Sequence, residues 1–262
     1  MLQGDLIGTD LWGKAAIPNG SDGVQLINTH SNTVGGGTTV ESRNIIAGNA
    51  GSGVDIIGAS SDTVAGNSIG VGLGGSPLGN QGDGVRITAS SSFNMVGGTD
   101  PSSTNVIAYN GGNGVTVGAD PSDQSIGNSI LENSIVANGL LGIDLGDDGP
   151  TPNTPGGPHD GPNQLQNTPV LASVSSDSNS TTIQGSLNSA PDTIYRIELF
   201  DNASGGQGQT FLGFVDVTTD DSGNAVFVFN TTTQLAPGDV VTATATDLTG
   251  DTSEFSAGMA VA

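Results

Sequence analysis

The apolar residues of this chain fall in short runs at a fixed interval. Gly-(Val/Ile)-x-(apolar) occurs at Gly23-Val24-Gln25-Leu26, Gly53-Val54-Asp55-Ile56, Gly84-Val85-Arg86-Ile87, Gly114-Val115-Thr116-Val117 and Gly142-Ile143-Asp144-Leu145, at spacings of 30, 31, 30 and 28 residues. Four residues before each of these glycines stands an asparagine: Asn19, Asn49, Asn80, Asn110 and Asn138. A second layer repeats over two units. Ile7-Gly8-Thr9-Asp10 parallels Ile69-Gly70-Val71-Gly72, and Asn44-Ile45-Ile46-Ala47 parallels Asn105-Val106-Ile107-Ala108.

The runs are β-branched, three to five residues long, and bounded by Gly, Asn and Ser. That is the chemistry of strands and turns, with no helical period. A fixed period of this size marks a solenoid, in which each unit buries its apolar face only by stacking on the next. Three short strands per unit make one coil of a parallel β-helix, with coils about 4.8 Å apart. The period-two rule points Val24, Val54, Val85, Val115 and Ile143 inward, with Leu26, Ile56, Ile87, Val117 and Leu145 beside them. It turns Gln25, Asp55, Arg86, Thr116 and Asp144 outward in one column. The asparagines are expected to form a ladder of stacked amides, although turn propensity alone also places Asn before Gly. About five coils are expected, over residues 1–149.

Composition shifts to Asp, Pro, Gly and Asn over 150–168, the mark of a cap or linker. Strand-like runs then recur over 169–262, separated by turn clusters such as Asp220-Asp221-Ser222-Gly223-Asn224. Seven of the ten aromatics lie there, enough for a small conventional core. An immunoglobulin-like or fibronectin-like β-sandwich is the expectation.

The motifs Gly8-Thr9-Asp10, Asn32-Thr33-Val34-Gly35-Gly36 and Asn44-Ile45-Ile46-Ala47-Gly48-Asn49 resemble the right-handed β-helix repeats of large bacterial surface proteins. Leu141-Gly142-Ile143-Asp144-Leu145-Gly146, with Gly161-Pro162-Asn163-Gln164-Leu165-Gln166-Asn167 downstream, is similar to the segment that closes such solenoids. Val241-Thr242-Ala243-Thr244-Ala245-Thr246-Asp247 looks like a late strand of bacterial Ig-like modules. The resemblance implies an all-β fold and an extracellular setting. It does not choose among the lyases, hydrolases, carbohydrate-binding proteins and adhesins of the β-helix class.

Four basic residues against 26 acidic ones give a net charge of −22, which repels a phosphate backbone and an anionic membrane. Nucleic acid is thus excluded as a partner. No apolar run is long enough for membrane insertion. The start, Met1-Leu2-Gln3, has no signal-peptide pattern, so the chain reads as a mature segment or a piece of a longer secreted protein. There are no cysteines to report on redox compartment.

Catalysis finds little support. The two histidines, His30 and His159, sit near no nucleophile elbow. A lyase would need Arg86 as base beside Asp55 as metal ligand; the bland reading of that pair is a surface ion pair. Asp55 and Asp144 lie about three rungs, some 14 Å, apart, too far for an inverting glycosidase. Asp144, Asp147, Asp148, Asp160 and Asn163 gather oxygens enough for a structural Ca²⁺ in the closing loop, or else simply form tight turns. Trp12, Asp55, Arg86 and Tyr109 are the candidate contacts for carbohydrate. Trp12 is either an exposed platform or a plug beneath the first coil. The expectation is a non-catalytic adhesive or polysaccharide-binding scaffold, monomeric or stacked end to end. The alternatives are a polysaccharide-active enzyme or a fibre-forming unit.

Overall fold

A computed structural model describes residues 1–37 and 39–262. The chain is all-β, and its first part is a solenoid of three parallel sheets. The first sheet stacks Leu6–Ile7, Ile45–Ile46, Ser68–Ile69, Val106–Ala108 and Ser134–Val136. The second stacks Val24–Ile27, Val54–Ile57, Val85–Thr88, Val115–Val117 and Ile143–Leu145. Thr33–Gly35, Thr63–Ala65, Met95–Gly97 and Ser129–Leu131 form the third.

The register follows the repeat. Val24 lies opposite Val54, Val54 opposite Val85, Val85 opposite Val115, and Val115 opposite Ile143. The solenoid makes about four full turns, fewer than five, because the last repeat contributes no strand to the third sheet. Its place is taken by the turn Pro162–Leu165, where the Asn163 side chain accepts from the Asn128 N–H at 3.0 Å.

Ile46, Ile69, Ile107, Val54, Ile56, Val85 and Ile87 are fully buried in the solenoid core. Stacked aliphatics fill this narrow space without aromatics. The glycine of each repeat is there because coils touch at that corner. A Cβ on Gly53 would stand 2.5 Å from Ile69 Cγ2 and 2.6 Å from the Gly84 carbonyl oxygen.

The expected asparagine ladder is present. Each Nδ2 donates to the next Oδ1 along Asn19, Asn49, Asn80, Asn110 and Asn138, at 3.0, 2.8, 2.8 and 3.0 Å. Two further ladders occupy the other corners. One runs Asn44, Asn67, Asn105, Asn133 at 2.9, 3.0 and 2.9 Å. The other runs Asn32, Asp62, Asn94, Asn128 and ends on Asn163. These amides satisfy backbone groups that the bends would otherwise leave unpaired in the interior.

Beyond the closing loop two antiparallel sheets face each other over a second core. One is Val170–Ser176, Thr181–Asn188 and Asn224–Thr231; the other is Thr210–Thr218, Ile194–Asn202, Val240–Asp247 and Met259–Ala260. Tyr195, Ile197, Leu199, Phe227 and Val241 lie in that core.

This two-sheet unit sits on the last coil as a lid of hydrogen-bond acceptors. The backbone N–H groups of Gly127, Ile130, Glu132, Asn138 and Leu145 donate to side chains of Asp251, Thr252, Glu198, Gln207 and Glu254 respectively, at 2.5 to 3.2 Å. Ile135 exchanges two backbone bonds with Gly208, each 2.8 Å. Phe255 packs against the solenoid core from above. At the opposite end the first coil is open: Leu2, Ile7, Val24 and Leu26 are only part-buried, and among the described residues no donor reaches Asn19 Oδ1.

Candidate functional site

The outward column of the second sheet is assembled in the order the repeat dictates: Gln25, Asp55, Arg86, Thr116, Asp144. A parallel row from the preceding turn leans over it. Ser52 N–H donates to Asp22, Asn113 N–H to Asp83, and Leu141 N–H to Asn113. Asn113 Nδ2 also donates to Thr116 Oγ1 at 3.0 Å and to Asp144 Oδ2 at 3.2 Å. The result is a polar stripe with two buried carboxyls, Asp55 at 7 % exposure and Asp144, on the last coil, at 3 %.

Arg86 reaches Asp83 at 3.9 Å rather than closing on Asp55. The surface pair expected between Arg86 and its column neighbour is therefore made with the adjoining turn. Burial pushes the Asp55 carboxyl up to about 6, the charges of Asp22 and Asp83 add to it, and Arg86 opposes it. Burial likewise raises Asp83 and Asp144 above the ordinary carboxylate range. Asp55 Oδ1 and Asp144 Oδ1 are buried without hydrogen-bond partners, as suits carboxyls that hold a proton more readily than usual.

A carboxyl whose pKa is higher in the folded chain than in the unfolded one adds stability below the unfolded value, near 4, and loses it as pH rises through the folded value. For Asp55 that window runs from about pH 4 to about pH 6, worth about 1–3 kcal/mol. The melting temperature is expected to rise by about 5 °C between roughly pH 7.5 and pH 5. Asp55→Asn should flatten this slope. Identical slopes for the two proteins in calorimetry would remove Asp55 as its source.

The loop residues do not join into one ligand set. Asp147, Asp148 and Asp160 are exposed. Asn163 is fully buried, and its side chain closes the third ladder, donating to the carbonyls of Asn128 and Thr252. Among the described residues no group of three acidic, His or Cys side chains is placed to hold a metal ion.

The four candidate carbohydrate contacts divide between two faces. Asp55 and Arg86 belong to the second sheet. Trp12 and Tyr109 belong to the margin of the first. Trp12 is 64 % exposed at the tip of a hairpin closed by the Thr9–Ala16 bridge, so it is no plug beneath the coil. Tyr109 is 40 % exposed and takes a left-handed φ of 63°, where the equivalent residue two coils earlier is Gly48.

The sequence reading missed a groove on the first sheet. Its floor is the outward column Leu6, Ile45, Ser68, Val106. A second hairpin, closed by the Val71–Pro77 bridge, forms one wall and stacks on the Trp12 hairpin through Leu73 N–H to the Gly13 carbonyl, 2.7 Å. The signal was present in the doubled Ile45-Ile46 and Val106-Ile107, where one residue of each pair has to face out. No family model matches the chain, and no curated protein matches it.

Proposed function

We propose that the chain is a non-catalytic extracellular scaffold of the bacterial β-helix repeat type that holds polysaccharide on the outside of its solenoid, with the two-sheet unit as an immunoglobulin-like or fibronectin-like module. The observation that carries this is Trp12, a large aromatic projected into solvent on a hairpin anchored by a rigid stack. Exposed aromatic faces with polar neighbours are what sugar rings pack against. The strand layout of three against four supports the sandwich assignment. The raised Asp55 beside Arg86 favours one alternative, a polysaccharide-active enzyme with Asp55 as its acid.

Trp12 is the single tryptophan, so its emission reports on the hairpin directly. Titration with a panel of neutral and uronic-acid polysaccharides is expected to shift that emission for at least one polymer. Trp12→Ala should reduce retention on the same polymer by about tenfold or more. Reducing-end or unsaturated product released from any polymer would instead favour the enzyme. Neither retention nor an emission shift on any polymer would overturn the binding role.

A further inference from the structure

We infer that the groove on the first sheet is a binding site for a small amphiphile with a carboxylate head and an apolar body. The site goes beyond the polysaccharide reading and does not depend on it. The groove encloses about 490 Å³, within the range of small-molecule sites. Its apolar lining comes from outward-facing Leu6, Ile45 and Val106 and from Leu73 on the hairpin wall. Leu6 is 39 % and Leu73 53 % exposed, so apolar surface remains for a ligand to cover.

Charge decides the head group. The chain holds 26 acidic and four basic residues, so a cation that stands in a groove without an acidic partner is a distinguishing feature. Arg196 is locked between Glu132 and Glu198, and Arg86 lies against Asp83. Lys14 makes no ion pair among the described residues, but it does not line the groove. Arg43, on the groove wall, makes no ion pair among the described residues; its guanidinium reaches only the Ser68 hydroxyl, at 3.4 Å. Glu41 lines the same groove and is held ionised, its pKa lowered by hydrogen bonding with its own backbone and Thr39, but it makes no ion pair with Arg43. A guanidinium with its donor fork unfilled, at the rim of an apolar trough, matches a carboxylate whose hydrocarbon part lies along the floor. A sugar acid supplies the charge without the apolar body, and a neutral alcohol supplies the body without the charge.

The test is calorimetric titration of the full chain with octanoate, 1-octanol and glucuronate. Octanoate is expected to saturate one site with Kd about 0.1–1 mM. Octanol should bind at least tenfold more weakly, and glucuronate should give no saturable heat. Arg43→Gln should bring octanoate down to the level of octanol and leave octanol unchanged. Leu73→Asp, at an exposed hairpin position, should abolish both. Octanol equal to octanoate in the unaltered chain would overturn the inference, as would saturable glucuronate binding or no saturable octanoate binding. An Arg43→Gln protein that melts normally and still prefers octanoate would overturn it too.

Discussion

Asn80→Ala is expected to destabilise the chain by about 3–5 kcal/mol, lowering its melting temperature by about 10 °C. Asn80 is the middle rung of the first ladder and is 2 % exposed. Its Oδ1 accepts from both the backbone N–H and the Nδ2 of Asn49, at 3.0 and 2.8 Å. Its Nδ2 donates to the Ile46 carbonyl at 3.1 Å and to Asn110 Oδ1 at 2.8 Å. Alanine removes all four contacts and leaves donors and acceptors of two neighbouring coils buried and unpaired, which costs more than the bonds themselves contribute. A solenoid passes such a defect to its nearest neighbours, so a central rung should matter more than Asn19 at the open end. Asp62 occupies a rung of the third ladder where an amide is expected, and its Oδ2 is buried with no partner. Asp62→Asn supplies a donor toward Asn94 Oδ1 and should stabilise by about 1–2 kcal/mol. Thermal unfolding of both variants checks the pair; an Asn80→Ala protein melting within a degree of the parent would mean the ladder is ornamental.

The solenoid was legible because its constraint is local and repeated. Gly53 and Gly84 mark the corner where coils touch, and Val54, Ile56, Val85 and Ile87 alternate with outward polar residues at a period no helix tolerates. Those few positions determine the register of every coil. The first ladder was readable from Asn49 and Asn80 standing at a constant offset from the glycines. The second and third ladders were not, because the spacing from Asn67 to Asn105 differs from that between Asn105 and Asn133, with an added loop between. The closing of the fifth repeat was hidden for another reason. Asn163 looks like one more oxygen in an acidic loop, and only its contact with Asn128, 35 residues away, shows it to be a rung.

The lid was hidden altogether. Glu198, Asp251 and Glu254 read as ordinary strand and turn acids, yet each accepts from a backbone donor 66 to 124 residues distant. Nothing local distinguishes such a carboxylate from a solvated one. Burial raises Glu198 and Glu254 above their usual range, the physical cost of placing charge at that junction. Arg196 offsets part of it at Glu198, where its Nε donates at 2.7 Å.

The lid's purpose is best exposed by removing it, and a chain ending at residue 168 is expected to assemble end to end while the full chain stays monomeric. Without the two-sheet unit, the last coil presents six backbone donors with water as their only acceptor, at Gly127, Ile130, Glu132, Ile135, Asn138 and Leu145. At a net contribution of about 1 kcal/mol each, the six bonds lost to water rival the net stability of an ordinary domain. Ile130, Ile135 and Ile143 would be uncovered with them. The open first coil of another copy is the surface that answers this need. Its strands have a free edge, its Val24 and Leu26 are part-exposed, and its Asn19 Oδ1 lacks the donors that every later rung receives. Asn138, whose N–H and Nδ2 both lose Gln207, is the rung that would supply them. Head-to-tail contact is heterologous and does not close, so it propagates into a filament. In the full chain the lid occupies the tail and is expected to block that growth. Head-to-head pairing would set Asn19 acceptor against Asn19 acceptor. Light scattering against concentration should therefore stay flat for the full chain and rise for the shortened one, whose assemblies should diffract at about 4.8 Å. A shortened chain that remains a monomer and melts like the parent would show that the solenoid needs no lid, and that Glu198, Gln207, Asp251 and Glu254 join the two parts without sealing the first.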